Sequence, residues 1–430
     1  MSEADRVFAK CAWQLIPFMV LLYLVSFIDR LNVGFAALTM NKDLGFSPAI
    51  FGFGAGIFFL GYVVFQVPAN LILMRVGARR WVFCIIVIWG SISAANALVQ
   101  GPASFYALRF LLGVAEAGFF PGMIFYLTLW FPKAYRARFN ASFYIAIPLS
   151  GIIGGPLSGL ILGMDGVGGL HGWQWLFLIE GTPAVLLAFA VLKFLPDGPA
   201  DASWLTDEEK RVIALRLAAD DLSEHRDLWR ALRDPRVIAL RLVNFGTQCG
   251  LYGTTLWLPQ IVQAMGFSNR ATGFVVALPF AASMAAMILW MRSSDRRGER
   301  IWHVALALLL AATGFVGASL AQADLFVLVA LTLTTVGIMA AYPPFWSLPS
   351  SFLGGSAAAG GIALINMIAS LGGFVGPTII GVLKEQSGGY ASAMAGLATV
   401  LLLAALIVIM LGRSMARRPA MMQPTGGGVT

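Results

Sequence analysis

Asp29 and Arg30 stand side by side in Ser26-Phe27-Ile28-Asp29-Arg30-Leu31-Asn32, near the end of an otherwise apolar segment. Read as a helix starting near Ala12, the segment carries Asp29 about 25 Å along its axis, inside a hydrocarbon core of ~30 Å. Charge at that depth costs at least ~2.5 kcal/mol per residue, so such side chains face a bundle interior or a water-filled path and find partners there. Two uses fit the pair: a substrate or proton site, and an Asp-Arg lock that only ties helices together.

A second acid and base, Arg109 and Glu116, lie seven residues apart and so share one helical face about two turns apart. Glu116 falls near the bilayer middle and Arg109 in the outer third. Glu180 enters from the outer side at a depth close to that of Arg109. It reads as the charge partner of Arg109, or as a carboxylate within reach of the interface beside Trp173 and Trp175. Burial disfavours a charged carboxylate and a nearby cation favours it, so Asp29 and Glu116 can load and release protons as access and neighbours change. A guanidinium grips a carboxylate with two parallel hydrogen bonds, which makes Arg30 the anchor for an organic anion. Tyr62, Gln66, Asn244, Gln248, Tyr252, Tyr342, Trp346 and Asn366 either complete a pocket or bond helix to helix. The C-terminal half has almost no embedded charge, so proton chemistry belongs to the first half and specificity to the second.

The elements that must position these residues are membrane spans. The chain has 430 residues, 59% of them hydrophobic and only 12% charged, where soluble chains average about a quarter charged. Apolar runs long enough to span fall near 12 to 35, 49 to 73, 81 to 99, 104 to 130, 140 to 163 and 174 to 195. After a polar gap come 237 to 263, 271 to 291, 302 to 321, 325 to 348, 358 to 383 and 391 to 412. The pattern predicts an all-α membrane protein of twelve helices. Residues 1–195 form one six-helix bundle, 196–236 a cytoplasmic linker, 237–412 a second bundle and 413–430 a disordered tail.

With the N-terminus inside, the cytoplasmic loops and ends collect 23 Lys and Arg residues against three outside, Lys42, Arg270 and Lys384. Both termini are therefore expected in the cytoplasm. The formal charge of +8 reflects this topology and not nucleic-acid binding, because the basic residues sit in short clusters between apolar runs. The polar start, Met1 to Lys10, lacks the pattern of a cleaved signal peptide.

A repeat runs through the chain at a constant offset of 221 residues. Gly45-Phe46-Ser47 returns as Gly266-Phe267-Ser268, Gly52-Phe53 as Gly273-Phe274, Gly77 as Gly298 and Gly155-Pro156 as Gly376-Pro377. The loops at Arg75, Gly77 and Arg79 and at Asp295, Arg296 and Gly298 both land inside. The halves are thus parallel, pseudo-symmetric repeats with a site expected between them. In the gap, Thr206-Asp207-Glu208-Glu209 is a capping box that opens an interfacial linker helix.

Other chemistries find little support. Gly52-Phe53-Gly54-Ala55-Gly56 follows no strand, and Gly151, Gly155, Gly159 and Gly163 form a smooth face for helix packing. His171, His225 and His303, like Cys11, Cys84 and Cys249, lack ligand spacing, so no metal or other cofactor is expected. A 41-residue central loop is too short for a catalytic or receptor domain.

Over essentially the whole chain these motifs resemble the major facilitator superfamily. The loop around Arg75, Gly77 and Arg79 looks like that family's signature gating loop with Met74 replacing its usual acid, and the second copy keeps Asp295. Leu108-Arg109 with Gly113 resembles its fourth-helix motif. Within the superfamily, Ile28-Asp29-Arg30, the run Gly113 to Pro121, the run Trp173 to Gly181, the run Pro344 to Pro349 and the run Gly361 to Asn366 resemble the anion:cation symporter family. The resemblance implies that Asp29 and Glu116 carry protons and that Arg30, Tyr62, Trp346 and Asn366 line the substrate site. It also implies a bacterial inner membrane and substrates such as tartrate, phthalate, hydroxyphenylacetate or sugar acids. Ile147 stands where sugar-acid members offer a Gln, and Phe345 is apolar where a hydroxyl can occur, which favours a tartrate-like dicarboxylate or an aromatic carboxylate. The expected protein is a monomeric, proton-coupled importer of a small organic anion, with a proton-driven exporter of drugs or metabolites as the alternative.

Overall fold

The computed structural model describes residues 3–221, 233–353 and 355–416. Backbone amides in hydrocarbon must be paired within their own segment, and the long apolar runs answer this as helices. The first half holds α1 (Glu3–Asp43), α2 (Pro48–Val76), α3 (Ala78–Ala95), α4 (Pro102–Glu116), α5 (Phe119–Trp130), α6 (Lys133–Ile161) and α7 (Gly172–Phe194). After the linker helix α8 (Asp207–Asp221) come α9 (Pro235–Ala264), α10 (Asn269–Arg297), α11 (Ile301–Leu320), α12 (Asp324–Ser347), α13 (Gly355–Ser387) and α14 (Ala391–Ala416).

Among the described residues, eleven helical stretches are long and apolar enough to cross a membrane, with α4 and α5 counted together. The twelfth place in the bundle belongs to α9. Its composition is diluted by Asn244, Thr247, Thr254 and Thr255, all buried in the protein interior and hidden from lipid. The chain is therefore an all-α membrane protein of twelve spanning helices in two six-helix bundles. Helix α1 starts at Glu3 rather than near Ala12, and α14 runs through Arg413 to Ala416. The expected disordered tail beyond 416 lies outside the described residues, as do His225 and the rest of 222–232.

Helices α2 and α10 are both 29 residues long and begin and end 221 residues apart. Each is N-capped by the repeated serine: the Oγ of Ser47 accepts from the Ile50 N–H at 3.3 Å and that of Ser268 from the Ala271 N–H at 3.3 Å. Each is followed by a glycine at positive φ, Gly77 at 89° and Gly298 at 62°. The two main contacts between the halves are copies under the same repeat, α2 on α13 and α10 on α6.

Both contacts are backbone against backbone. A β-carbon at Gly52 would lie 2.6 Å from the Pro377 carbonyl oxygen, and one at Gly56 2.7 Å from that of Phe374. On the other seam, a β-carbon at Gly155 would lie 2.7 Å from the Gly273 oxygen and one at Gly159 2.9 Å from that of Asn269. Small residues permit this close approach. The smooth face expected on α6 is thus used against α10, although Gly163 lies past the helix end in open space. All these contacts sit at the end of the bundle carrying residues 44–47 and 265–268, away from the chain ends. The halves are shut on that face.

On the face bearing the chain ends, the capping box forms as expected. The Thr206 N–H donates to Glu209 Oε2 at 2.8 Å and the Glu209 N–H to Thr206 Oγ1 at 3.3 Å. Lys10 Nζ reaches Glu209 at 2.8 Å, tying α8 to α1, and Trp204, three residues before α8, stacks on Trp130 of α5 at 5.5 Å.

Candidate functional site

Between the halves lies a cavity of about 570 Å³, counting the space open at its mouth. Its lining includes Arg30, Tyr62, Gln248, Tyr252, Tyr342, Trp346 and Asn366, together with Ile147. All four residues assigned to substrate contact in the sequence, Arg30, Tyr62, Trp346 and Asn366, therefore face one space. Gln66, Asn244 and Phe345 do not line it.

Arg30 is buried in the floor of this cavity and is held from both halves. Its Nη2 donates to Glu116 Oε2 at 2.5 Å, and its Nη1 donates to the Tyr252 hydroxyl at 3.1 Å. The guanidinium carbon lies 5.0, 5.1 and 5.6 Å from the ring centres of Phe27, Phe58 and Tyr62. Such rings stabilise a cation without neutralising it, so part of its positive character stays available. Arg30 Nε makes no hydrogen bond.

Glu116 ends α4, and the helix restarts only at Phe119 as α5. Ala117 and Gly118 between them keep right-handed backbone angles, so the span tightens into a turn beside the carboxylate without unwinding. Among the described residues, Glu116 Oε2 meets the Ser26 hydroxyl at 3.5 Å besides Arg30, and its Oε1 has no hydrogen-bond partner. This carboxylate is held mainly by one contact.

Asp29 is placed differently. Adjacent helix positions point about 100° apart, which turns Asp29 away from the cavity and toward α3. There it accepts hydrogen bonds from Trp89 Nε1 at 2.5 Å, from Asn32 Nδ2 at 3.0 Å and from Ser93 Oγ. Three donors to one carboxylate make a closed arrangement inside the first bundle.

The expected pairing of Arg109 with Glu180 is not formed. Glu180 Oε1 accepts from Ser158 Oγ on α6 at 2.7 Å, while the three guanidinium nitrogens of Arg109 make no hydrogen bond among the described residues. Close packing of α4 on α2, where a β-carbon at Gly113 would overlap the Phe58 carbonyl, turns Arg109 over the Phe58 ring at 5.2 Å instead.

In the repeated loops, an Arg79 Nη donates to the Leu192 carbonyl at the end of α7. Asp295 pairs with Arg300 at 2.6 Å. Arg75 and Arg296 are exposed beside them. Arg300 was not among the expected residues, although it stands only two positions beyond Gly298.

Sequence reasoning also missed the aromatic wall. Tyr23, Phe27, Phe59, Phe120 and Tyr144 line the cavity too, so nine of its fifteen described lining residues are aromatic. Tyr144 of α6 lies nearly parallel to Tyr342 and Trp346 of α12, with ring centres 6.0 and 6.4 Å apart. The available signal was spacing: Tyr144 lies three residues before Ile147 and so shares its helical face. Among the described residues, no group of three or more His, Cys, Asp or Glu could hold a metal ion.

The sequence matches the Major Facilitator Superfamily over residues 19–377. A protein named "Putative tartrate transporter" from Agrobacterium vitis is 50% identical over 412 residues, covering 95% of this chain and 92% of that protein. A quinolone resistance transporter from Acinetobacter baumannii is 42% identical, covering 94% of each. Among solved structures, an inward-facing, occupied bacterial homolog of the human lysosomal transporter Spinster superposes with a TM-score of 0.77. It covers 95% of this chain and 98% of its own at 16% identity, a likeness of fold.

Proposed function

This chain belongs to the Major Facilitator Superfamily and is a membrane transporter, not an enzyme; from that premise we propose that it takes up a small organic anion together with protons by alternating access. The observation that carries this reading is the buried Arg30–Glu116 contact at 2.5 Å on the floor of the cavity between the halves. A proton arriving on Glu116 loosens its hold on Arg30, and the guanidinium then accepts the carboxylate of the substrate. Loss of that proton toward the cytoplasm returns Glu116 to Arg30 and expels the anion. One proton and one carboxylate load together, so the charge beside Arg30 sums to the same value empty and loaded and its desolvation is never uncompensated.

Tyr62, Trp346 and Asn366 contact the body of the substrate in this scheme. Asp29 carries a second proton or, held by its three donors, keeps α1 and α3 together. The loops at Arg75, Gly77, Arg79, Asp295, Arg296 and Gly298 gate the face bearing the chain ends. We assign the protein to a bacterial inner membrane as a monomer with both termini in the cytoplasm. The tartrate relatives and the aromatic lining support a tartrate-like dicarboxylate or an aromatic carboxylate.

Uptake of a labelled panel of organic acids into proteoliposomes, with and without an inward proton gradient, tests the proposal. Accumulation of an acid only with the gradient, lost in Arg30→Ala and in Glu116→Gln, is expected. Accumulation that ignores the gradient, or that survives in either correctly inserted variant, overturns it. A second reading, proton-driven export, is favoured by the quinolone resistance relative. Resistance of cells to toxic compounds on overexpression, without gradient-driven accumulation of any acid, would establish that reading instead.

A further inference from the structure

Resting on the organic-anion reading, we propose that the site selects a flat aromatic ring bearing a single carboxylate over aliphatic and doubly charged acids. The first ground is a count of charge. Among the described residues lining the cavity, Arg30 is the one cation, and its partner Glu116 already balances it. One carboxylate can replace Glu116 at the guanidinium. A second carboxylate on the same molecule would meet only neutral groups, those of Gln248, Asn366 and Ser370 and the indole N–H of Trp346. A buried carboxylate without a cation is unfavourable even when it is hydrogen-bonded by neutral donors.

The second ground is shape. Tyr144 comes from the first half and Trp346 from the second, and their rings are within 20° of parallel with centres 6.4 Å apart. Tyr342 repeats the relation at 26° and 6.0 Å. A flat ring sandwiched between two others needs about 7 Å between the outer planes, twice an ordinary carbon contact. A parting of the halves that brings the two ring planes to that spacing admits a flat ring. A puckered or branched aliphatic body presents no flat face to such walls and loses the offset stacking that aromatic pairs prefer.

The third ground is an unused donor. Trp346 Nε1 is buried in the lining and has no hydrogen-bond partner among the described residues. Buried donors are rarely left so, and an acceptor on the substrate, a ring nitrogen or a neutral oxygen, satisfies it.

The test uses the purified full-length protein in detergent, with binding of four acids measured by calorimetry: benzoate, cyclohexanecarboxylate, phthalate and tartrate. Benzoate is expected to bind roughly tenfold more tightly than cyclohexanecarboxylate, the ratio one stacking contact provides, and more tightly than phthalate and tartrate because each brings a second carboxylate that no described lining cation balances. Trp346→Leu should erase the preference for benzoate over cyclohexanecarboxylate, and Arg30→Gln should remove binding of all four. Equal or tighter binding of cyclohexanecarboxylate, phthalate or tartrate by the unaltered protein overturns the aromatic monocarboxylate proposal, and the organic-anion reading stands if that binding still requires Arg30. Binding that survives Arg30→Gln, or no binding of any of the four, overturns both. The comparison among acids needs no variant, so misfolding of either substitution leaves the proposal exposed to refutation.

Discussion

Ser47 Oγ donates to Glu385 at 2.7 Å, joining the start of α2 in the first half to the end of α13 in the second. The same carboxylate oxygen accepts from the Ala49 N–H at 2.9 Å, so an acid from one half caps a helix of the other. A carboxylate at a helix N-terminus gains from both the free amides and the helix dipole. It lies directly above the glycine seam and closes the face on which the halves are shut.

Glu385→Ala is therefore expected to loosen that face. A cysteine in place of Thr378, whose hydroxyl lies beside the Gly52 carbonyl within the seam, should react severalfold faster with a membrane-impermeant maleimide when Glu385 is replaced. The background for this measurement carries Cys84→Ser, because Cys84 is the exposed native thiol. An unchanged rate would show that the glycine packing alone keeps the face closed.

Asp29 and Glu116 should separate by phenotype. Removing one donor from Asp29, as in Trp89→Phe, deletes a hydrogen bond to a buried charged group and should cost about 1.5–3 kcal/mol of stability. It leaves the cavity unaltered. Glu116→Gln removes the counter-charge of the buried Arg30 and should lower the thermal midpoint as well, but it should also abolish the response of uptake to a proton gradient, which Trp89→Phe should keep. Thermal unfolding in detergent and proteoliposome uptake, run on both variants, check the pair of outcomes.

Gly113→Ala puts a methyl group into the Phe58 carbonyl, a backbone atom that a side-chain rotation cannot move aside. Overpacking of this kind costs about 1–3 kcal/mol. The expected result is a lowered thermal midpoint together with lost transport, because α2 and α4 carry Tyr62 and Glu116 and must part for the new atom. A midpoint at the level of the unaltered protein would show that the two helices slide freely.

The linker offers a pH prediction outside the membrane. Lys10 and the Thr206 amide beside Glu209 hold its carboxyl below the ordinary carboxylate value. A depressed value means that the unfolded linker binds more protons, so the stabilisation is complete at neutral pH and fades as the pH falls through the depressed value. The pair lies at the surface and contributes at most about 1 kcal/mol. Hydrogen exchange across α8 should accelerate on acidification, and Glu209→Gln should show the faster exchange already at pH 7.

The spans, the repeat and the capping box were legible because each depends on local sequence. Apolar length shows a membrane helix, and a turn glycine repeated 221 residues on shows the symmetry. The partner of Arg30 was not legible. Neighbouring residues on a helix diverge, and whether Arg30 meets Glu116 or Asp29 depends on how α1 is rotated against α3 and α4. Trp89 and Ser93 gave no sign of gripping Asp29, since in sequence they look like ordinary members of an apolar span. Arg109 and Glu180 were paired by depth alone, while the structure separates them by helix face. The interruption after Glu116 could have been read from Gly118 and Pro121, which weaken and end helices from either side.

The glycine seams bear on the speed of the transport cycle. Where side chains interlock, two surfaces part only after each knob has been lifted from its hole, and every step adds to the barrier. Along Gly52 to Gly56 and Gly155 to Gly159 there is little to lift. Two smooth backbones touch over a broad area of weak contacts, a joint that seals well when closed and offers little friction on opening. A single added methyl on this track would act as a wedge, and the loss would appear first in turnover rather than in affinity for the substrate.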